Sequence, residues 1–374
     1  MTRALRIVRA GPGVLDALRT ALSGGPAILV TSDGARPEDV PGTVSLRTAL
    51  VVESSGSTGR PKRIALGADA VLANAAASES ALGGPGQWVL ALPTHYVAGL
   101  NVLARSIAAG TIPVAVAEGP FTAAAFLAAA ERLDAPDRFV SLVPSQLATL
   151  VADPSARVAL ARFAAVLVGG QATPATLLAE AADHGIRVVR SYGSSETSGG
   201  CVYDGRPNGT TEVRIRDGEV QLAGPTLAEG YLGDPALTEE RFIHDEGLRW
   251  FRTADAGYLT EEPEPRLVVT GRRDDVIISG GVKVALGAIE QAVRELPGLS
   301  DAVIVGAPDS RWGEVPVLVS VHDADLAAVR AAVESVLGPA ARPARVLRLA
   351  ELPLLPGGKP DRLALRALVV ADSA

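Results

Sequence analysis

The residues best suited to chemistry lie in a run of hydroxyls and glycines that ends in a lysine. Residues 53–62 read Glu-Ser-Ser-Gly-Ser-Thr-Gly-Arg-Pro-Lys and directly follow the apolar residues 49–52. Hydroxyl groups can donate hydrogen bonds to phosphate oxygens, glycines let backbone N–H groups approach closely, and a lysine adds a compact positive charge. The run therefore predicts a loop that wraps a polyphosphate. Its candidate residues are Ser54, Ser55, Gly56, Ser57, Thr58, Gly59 and Lys62.

The alternative interpretation of this run is a flexible Gly/Ser linker. The spacing does not match a Walker A loop, which has four residues between its first glycine and Gly-Lys-Ser/Thr. A linker, however, rarely follows a buried strand directly and ends in Pro-Lys. The phosphate loop is therefore the favoured interpretation.

A second polar run, residues 191–197, reads Ser-Tyr-Gly-Ser-Ser-Glu-Thr and also follows an apolar strand. The carboxylate of Glu196 could hold a Mg²⁺ ion, because proteins bind Mg²⁺ through one or two carboxylates together with substrate phosphates. Ser195 could donate a hydrogen bond to phosphate, and Tyr192 could stack on a base or cover the pocket. A tight turn with a solvated glutamate explains this run equally well.

Further candidates are charged residues in the second half of the chain. Asp255 lies in the run Thr-Ala-Asp-Ala-Gly-Tyr, residues 271–275 read Gly-Arg-Arg-Asp-Asp, and Lys359 lies near the C-terminus in Pro-Gly-Gly-Lys-Pro-Asp-Arg. Taken one at a time, helix capping and solvated surface charge would explain each of them. Their order along the chain is what points to function.

The hydrophobic pattern before residue 270 predicts strands that alternate with helices from Val14 onward. Such alternation is typical of a layered α/β domain with largely parallel strands, whose ligands bind at the carboxyl ends of the strands. The predicted strands are Ala27–Thr31, Trp88–Leu92, Ile112–Val116, Phe139–Val143, Ala165–Val168 and Arg187–Arg190. After Tyr203, short strands and turns predict a more antiparallel, β-rich subdomain. Its strands are Glu212–Arg216, Glu219–Ala223 and Arg266–Thr270.

The residues after Asp274 predict a second, smaller α+β domain. Its predicted strands are Val276–Ile278, Asp301–Val305, Val315–Val321 and Arg345–Leu349, and its predicted helices are Leu286–Leu296 and Leu326–Leu337. We therefore expect a large layered α/β domain with a β-rich subdomain at residues 1–272, and a small α+β domain at residues 273–374.

Composition and charge limit the classes of function. The 374 residues are 48% hydrophobic and 4% aromatic, which is typical of a soluble α/β protein. A net charge of −7 argues against a general nucleic-acid binder. The single cysteine, Cys201, excludes an intramolecular disulfide and fits a reducing compartment. No long apolar run or secretory signal is present, so we expect a cytoplasmic protein without membrane insertion.

Taken in order, these runs resemble the motifs of the ANL superfamily of adenylate-forming enzymes. The resemblance covers most of the chain and includes Gly169-Gly170 and the run Gly224-Pro-x-Leu-x-x-Gly-Tyr231. It implies that the chain uses ATP, Mg²⁺ and coenzyme A, and that it activates a carboxylic acid as an acyl-adenylate. Beyond the phosphate loop, the implied nucleotide-binding residues are Gly169, Gly170, Ser191, Tyr192, Gly193, Ser195, Asp255 and Arg272.

The resemblance also implies individual roles. Asp255 and Arg272 would bind the ribose hydroxyls, Glu196 would bind Mg²⁺, and Lys62 would offset charge on the pyrophosphate. Lys359 would contact the carboxylate and the α-phosphate during adenylation. Asp274 would be a hinge about which the small, mobile C-terminal domain rotates, so that Lys359 serves the first half-reaction and coenzyme A enters for the second.

Within the superfamily the chain resembles the o-succinylbenzoate–CoA ligases of menaquinone synthesis, in their shortened actinobacterial form. The resemblance lies in residues 90–100, residues 141–146 and the ending at residues 352–362. It implies an acyl pocket that contains His95, Tyr96, Gly99 and Ser145. In the family an aromatic residue precedes the histidine, whereas here His95 precedes Tyr96, so either side chain could line the pocket.

Other departures leave alternatives open. Arg63 and Ala254 stand where the family often has glycine, although neither change removes a reacting group. Arg105 could pair with a second carboxylate of the substrate, but an ordinary arginine on a helix surface is the favoured interpretation. Alternative functions are another aryl- or acyl-CoA ligase, a free-standing amino-acid-adenylating enzyme and, more remotely, a non-catalytic nucleotide-binding protein. A homodimer is plausible.

Overall fold

The computed structural model describes residues 1–54, 61–261, 263–355 and 360–372. Most of the predicted phosphate loop and the predicted adenylation lysine therefore lie outside the described residues. These positions are Ser55, Gly56, Ser57, Thr58, Gly59 and Lys359. The described residues form a mixed α/β structure, which confirms the predicted fold class.

The first sheet is mixed and has the strand order β15-β5-β4-β2-β1-β3. Its strands are β1 (Thr2–Arg9), β2 (Ala27–Thr31), β3 (Thr43–Ser45), β4 (Thr48–Ser54), β5 (Lys62–Gly67) and β15 (Gly230–Tyr231). Only the contacts of β2 with β1 and β4 are parallel. Strand β1 was not predicted, because its apolar residues alternate with arginines, yet it lies inside the sheet.

The second sheet has the order β12-β11-β10-β9-β8-β6-β7 and a parallel centre, as predicted. Its strands are β6 (Gln87–Leu90), β7 (Val114–Ala115), β8 (Arg138–Leu142), β9 (Ala165–Gly169), β10 (Val188–Ser194), β11 (Gly199–Tyr203) and β12 (Arg206–Pro207). The end strands β11 and β12 are antiparallel, and a short 3-10 helix, Ser195–Thr197, connects β10 to β11.

Helices pack on the first two sheets, and α1 lies on the first. They are α1 (Val14–Leu22), α2 (Ala68–Leu82), α3 (Val97–Ala108), α4 (Ala123–Ala130), α5 (Pro144–Ala152), α6 (Pro154–Leu160) and α7 (Ala175–Asp183). Helix α3 lies between the two sheets, because Leu100 and Leu103 join the core of the first sheet while Val102 joins one face of the second. Helices α4–α7 pack on the opposite face of the second sheet. The strands read as continuous apolar runs because both of their faces are buried.

The third sheet is antiparallel, as predicted for the β-rich region, and β17 lies at its centre. Its strands are β13 (Glu212–Arg216), β14 (Glu219–Ala223), β16 (Phe242–Asp245), β17 (Leu248–Leu259) and β18 (Leu267–Arg272), and helix α8 (Pro235–Arg241) precedes β16. Strand β10 of the second sheet, the 3-10 helix after it and strands β14, β17 and β18 of the third sheet supply the residues of one cavity.

The fourth sheet begins shortly after β18. Its strands are β19 (Val276–Ser279), β20 (Val282–Ala285), β21 (Val303–Asp309), β22 (Gly313–Ser320) and β23 (Val346–Arg348), and its helices are α9 (Leu286–Arg294), α10 (Leu326–Leu337) and α11 (Arg362–Ala371), with a 3-10 turn at Pro339–Ala341. Side chains of β21 alternate between two cores: Ile304 packs with α9 and α10, whereas Val303 and Val305 pack with α11. In the described part of the chain, no helix combines the length and apolarity needed to cross a membrane.

Candidate active site

The candidate site is a cavity of about 70 Å³ where the second and third sheets meet. Five of the predicted site residues line it: the nucleotide-binding candidates Tyr192, Gly193, Asp255 and Arg272, and the predicted Mg²⁺ ligand Glu196. The other described residues of the lining are Ser194, Leu222, Phe251 and Thr253. The cavity thus combines two carboxylates, one guanidinium and several hydroxyls at the carboxyl end of β10, where parallel strands place their ligands.

Asp255 and Arg272 face each other across the β17–β18 pair, and the closest of their charged atoms are 3.5 Å apart. The Tyr192 hydroxyl donates a 2.7 Å hydrogen bond to Asp255 Oδ2. Burial raises the pKa of the Asp255 carboxyl, although the Tyr192 hydrogen bond and the Arg272 charge partly oppose that rise. Burial and the Asp255 charge also raise the pKa of Tyr192 strongly, so its hydroxyl keeps its proton and acts as the donor.

The stronger partner of Arg272 is Asp274, the predicted hinge residue. Arg272 donates through Nε and Nη2 to both carboxylate oxygens of Asp274, at 2.9 and 2.8 Å. This two-point geometry raises the pKa of Arg272 and lowers the pKa of Asp274. One guanidinium therefore contacts both the predicted ribose-binding carboxylate and the predicted hinge.

Tyr231 connects Glu196 to the end of the predicted phosphate loop. Its hydroxyl donates to Glu196 Oε1 at 2.8 Å, and Lys62 Nζ lies 6.0 Å from the centre of its ring. Strand β15 carries Tyr231 and pairs with β5, which begins at Lys62. Burial and the Glu196 charge raise the pKa of Tyr231, so the phenol stays protonated and orients the carboxylate. Tyr231 lies in the run Gly224–Tyr231, from which no role for this residue was predicted.

The described ends of the phosphate loop lie opposite each other. Ser54, the last residue of β4, is paired with Lys62 in the antiparallel β4–β5 ladder. The loop residues between them lie outside the described residues. Arg63, which stands where the superfamily often has glycine, pairs with Glu53 and Asp39 at 2.8 and 2.7 Å. This arginine therefore fixes the strand that carries Lys62.

Glycines permit close backbone contacts around the cavity. A side chain at Gly193 would lie 2.2 Å from the carbonyl oxygen of Gly199, and one at Gly169 would lie 3.0 Å from that of Ser191. Gly170 has a φ of +85°, a conformation that glycine adopts without strain. These positions let β9, β10 and β11 approach one another at the edge of the cavity, and Ser191 and Ser195 lie in the same segment.

The predicted acyl-pocket residues form a separate group beside α3. The rings of His95 and Tyr96 contact each other with centroids 4.2 Å apart, and burial lowers the pKa of His95. A side chain at Gly99 would lie 2.3 Å from the Pro93 carbonyl oxygen, so glycine is needed here for the tight chain path. Ser145 is exposed in the first turn of α5. These four residues are absent from the described lining of the 70 Å³ cavity.

Two hydrogen bonds attach this group to the rest of the site. Gln146, beside Ser145, donates to the Ala91 carbonyl at 3.1 Å and so links α5 to the segment that carries His95. Asn101 of α3 donates to the Ser198 carbonyl at 2.7 Å, two residues after Glu196. The sequence does not predict these roles of Asn101 and Gln146, because the hydrogen-bond partner of a single amide side chain depends on the tertiary structure.

The interpretation of Arg105 as a helix-surface arginine is wrong. The residue is 6% exposed, its guanidinium lies 5.0 Å from the Trp88 ring centre, and it donates to the Tyr203 hydroxyl at 3.2 Å. It is buried because α3 lies between two sheets, so this helix has little solvent-facing surface. Within the described residues Arg105 forms no ion pair. Its pairing with a substrate carboxylate stays a prediction.

Family models and a named relative match most of the chain. The model described as AMP-binding enzyme matches residues 16–232, and the model described as AMP-binding enzyme C-terminal domain matches residues 288–359. A Mycobacterium tuberculosis protein named "Probable 2-succinylbenzoate--CoA ligase" is 41% identical over 324 residues, which are 85% of this chain and 83% of that protein.

Solved structures share the fold of nearly all of this chain. The amide bond synthetase McbA from Marinactinospora thermotolerans has a TM-score of 0.77 and 27% identity, covering 98% of this chain and 80% of its own. The o-succinylbenzoate CoA synthetase of Bacillus subtilis, in complex with its acyl-adenylate intermediate, has a TM-score of 0.73 and 25% identity, covering 95% of this chain and 81% of its own.

Proposed function

Because the chain belongs to the AMP-binding enzyme family, within the ANL superfamily of adenylate-forming enzymes, we propose that it joins 2-succinylbenzoate to coenzyme A. The products are 2-succinylbenzoyl-CoA, AMP and diphosphate, as menaquinone synthesis requires. The observation that carries this proposal is the 41% identity to the M. tuberculosis protein over 85% of the chain. The cavity that contains Tyr192, Glu196, Asp255 and Arg272 supports this proposal, because these side chains suit the ribose and the Mg²⁺ of a bound nucleotide.

In the first half-reaction, a carboxylate oxygen of the acid attacks the α-phosphorus of ATP, and the bond to diphosphate breaks. Asp255 accepts hydrogen bonds from the ribose hydroxyls, with Arg272 beside it. Lys62 and Lys359 offset the negative charge on the phosphates, which is the main stabilisation that such a transition state needs. In the second half-reaction, the thiolate of coenzyme A attacks the acyl carbon, and AMP leaves.

The residues around Glu196 fit a Mg²⁺ ion. One oxygen of Glu196 accepts from Tyr231, and no described residue bonds to the other. Mg²⁺ is typically bound through one or two carboxylates, with substrate phosphates and water completing the shell. When bound, the ion would draw negative charge from the phosphate oxygens. Tyr231 would hold the carboxylate in one orientation.

The domain division is part of this proposal. Residues 1–272 form the large domain that binds ATP and the acid, and residues 273–374 form the small domain that carries Lys359. The small domain rotates about Asp274 between the half-reactions. In the present arrangement, Glu295 after α9 accepts a 3.2 Å hydrogen bond from the Ala175 N–H in α7. We further propose that the enzyme acts in the cytoplasm as a homodimer.

The decisive experiment measures diphosphate release and thioester formation with 2-succinylbenzoate, ATP and Mg²⁺, with and without coenzyme A. Benzoate and succinate are the matched controls, because each carries only one half of the substrate. We expect diphosphate release to need 2-succinylbenzoate, and thioester to form only when coenzyme A is added. A preference for another acid, or for an amine as acceptor, would contradict the proposed substrate pair. No release with any acid would contradict the adenylating activity.

A further inference from the structure

We propose that Glu219 is a positioning residue for the nucleotide. Its carboxylate holds the backbone turn that carries Asp255 and so sets the geometry of the Asp255–Arg272 pair. This inference rests on the proposed function, because it takes that pair to bind the ribose of ATP and AMP. Glu219 itself does not line the described part of the cavity.

Glu219 begins β14 and is 3% exposed. Its Oε1 accepts the backbone N–H of Ala254 at 3.1 Å. Its Oε2 lies 3.0 Å from Nε of Arg252 and 3.5 Å from Nη1 of Arg273. A carboxylate that accepts a backbone N–H and also contacts two guanidinium groups is satisfied in spite of its burial.

The strand pairing explains why a side chain is needed at this point. Strand β14 pairs with β17 through Gln221 with Arg252 and through Glu219 with Ala256, and the register shifts between these two pairs. A single residue of β14, Val220, therefore faces residues 253–255 of β17. Side chains supply the bonds that the ladder loses: Thr253 Oγ1 donates to the Val220 carbonyl at 2.7 Å, and Glu219 accepts from Ala254.

The turn is also strained. Ala254 has a φ of +61°, in the left-handed region that residues with a Cβ seldom adopt. Both of its backbone polar groups are held, because its N–H bonds to Glu219 and its carbonyl accepts the Arg273 N–H at 2.8 Å. Such a conformation persists only where surrounding contacts determine it. Glu219 is one of those contacts.

Glu219 also contacts the residue next to the second member of the pair. Ala254 directly precedes Asp255, and Arg273 directly follows Arg272. The same carboxylate therefore touches the residue next to each member of the nucleotide pair. An amide in its place has only one acceptor oxygen, so it could not serve both the Ala254 N–H and the arginines, and at least one neighbour would be released. Asp255 and Arg272 could then move apart. Hydrogen bonding to ribose is sensitive to such movement, because supporting groups fix the geometry of the residues that touch a ligand.

A purely structural ion pair would behave differently. Removing one partner of a buried pair destabilises a protein wherever the pair lies. If Glu219 were only a partner in such an ion pair, its removal would leave the nucleotide affinity of the folded molecules unchanged. The test must therefore measure affinity in folded protein separately from stability.

The experiment compares Glu219→Gln with wild type by calorimetric titration of AMP, and by the KM for ATP in ATP–diphosphate exchange. Asp245→Asn is the control for the loss of a charge in the same sheet, because Asp245 also pairs with two arginines, Arg214 at 2.7 Å and Arg216, although it is less buried than Glu219. We expect Glu219→Gln to weaken AMP binding by about ten-fold or more, to raise the KM for ATP, and to change kcat less. Asp245→Asn should keep the wild-type AMP affinity. Wild-type affinity in folded Glu219→Gln would overturn the proposal.

Glu219→Asp keeps the test decisive if Glu219→Gln does not fold. It retains the charge for the two arginines, but its carboxylate is one methylene too short for the Ala254 N–H. We expect it to fold and to bind AMP more weakly than wild type, and equal affinity would overturn the proposal. If wild-type protein itself fails to bind AMP, the proposed function fails. If wild type binds AMP and both Glu219 variants bind it equally well, only the positioning role fails.

Discussion

Glu219 and Glu290 are the buried carboxylates of two similar clusters in different parts of the molecule. Each accepts a backbone N–H, from Ala254 for Glu219 and from Ile304 for Glu290. Each also pairs with two arginines: Arg252 and Arg273 in the first cluster, and Arg294 and Arg362 in the second, at 2.9 and 2.7 Å. The two clusters therefore meet the same electrostatic requirement with the same residue types.

Their surroundings differ. Glu219 joins the strands that carry Asp255 and Arg272, whereas Glu290 joins α9 to β21 and to Arg362, the first residue of α11. Arg362 follows Lys359 by three positions and also lies 3.4 Å from Asp275, beside the predicted hinge. We therefore expect the first cluster to support nucleotide binding, and the second to support the described segment that follows the predicted adenylation lysine. Variants of the first cluster should therefore change AMP affinity, and variants of the second should change the rate of acyl-AMP formation.

Lys359→Ala should show the largest effect. The loss should be confined to the rate of acyl-AMP formation. Because the lysine charge would act on the phosphates as negative charge develops, we expect acyl-AMP formation to fall by about 10²- to 10³-fold. AMP affinity and the conversion of supplied acyl-AMP to thioester should stay near wild type. Single-turnover assays of each half-reaction provide the measurement. An equal loss in both half-reactions would mean that Lys359 does not act in adenylation alone, and would remove the distinction between the two clusters.

Glu290→Gln should show a smaller effect of the same kind. Arg294 would lose its buried partner, and we expect the free energy of unfolding to drop by about 3 kcal/mol, as measured by denaturant titration. In folded protein, acyl-AMP formation should slow by about ten-fold, because the start of α11 loses its anchor at Arg362. AMP affinity should not change. A loss of AMP affinity as large as that of Glu219→Gln would break the comparison.

AMP affinity should depend on pH through Asp255. Its pKa in the folded protein lies above the ordinary value of 3.8, mainly because of burial. Lowering the pH through that raised pKa protonates the carboxyl, so AMP affinity should fall on the acid side. The same shift means that Asp255 contributes less to stability as the pH rises through the range between 3.8 and its raised value. AMP titrations across pH should show the same loss of affinity at low pH in Lys359→Ala as in wild type. An AMP affinity that does not change with pH in Asp255→Asn would assign the pH dependence to Asp255.

Local pattern was sufficient to predict much of the fold. The strands Glu212–Arg216 and Glu219–Ala223 and the helix Leu326–Leu337 have the predicted bounds, because turn residues or caps end them. The side chain of Asp325, for example, accepts from the first N–H groups of its helix. The motif residues Tyr192, Glu196, Asp255 and Arg272 line one cavity, which forms where β10 and the 3-10 helix after it meet strands β17 and β18 of the third sheet.

The rest depended on tertiary contacts that no local pattern shows. Arg105 reads as a surface residue until α3 is known to lie between two sheets. Tyr231 gains its partner Glu196 only because β15 pairs with β5. The charge on Glu219 gave no sign that the carboxylate would be buried against β17. The roles assigned to the individual site residues stay predictions until they are measured.

Of these variants, Ala254→Gly should have the smallest effect by itself. Combined with Glu219→Gln and with Glu290→Gln, it gives the sharpest test of the comparison between the two clusters. Relief of the left-handed strain is offset by the greater freedom of glycine in the unfolded chain, so we expect the free energy of unfolding to change by less than about 1 kcal/mol. Glycine holds a positive φ without restraint. In the Glu219→Gln background it should therefore restore part of the lost AMP affinity, whereas in Glu290→Gln it should restore no adenylation rate. Strictly additive effects of Ala254→Gly and Glu219→Gln on AMP affinity would mean that Glu219 does not act through this turn.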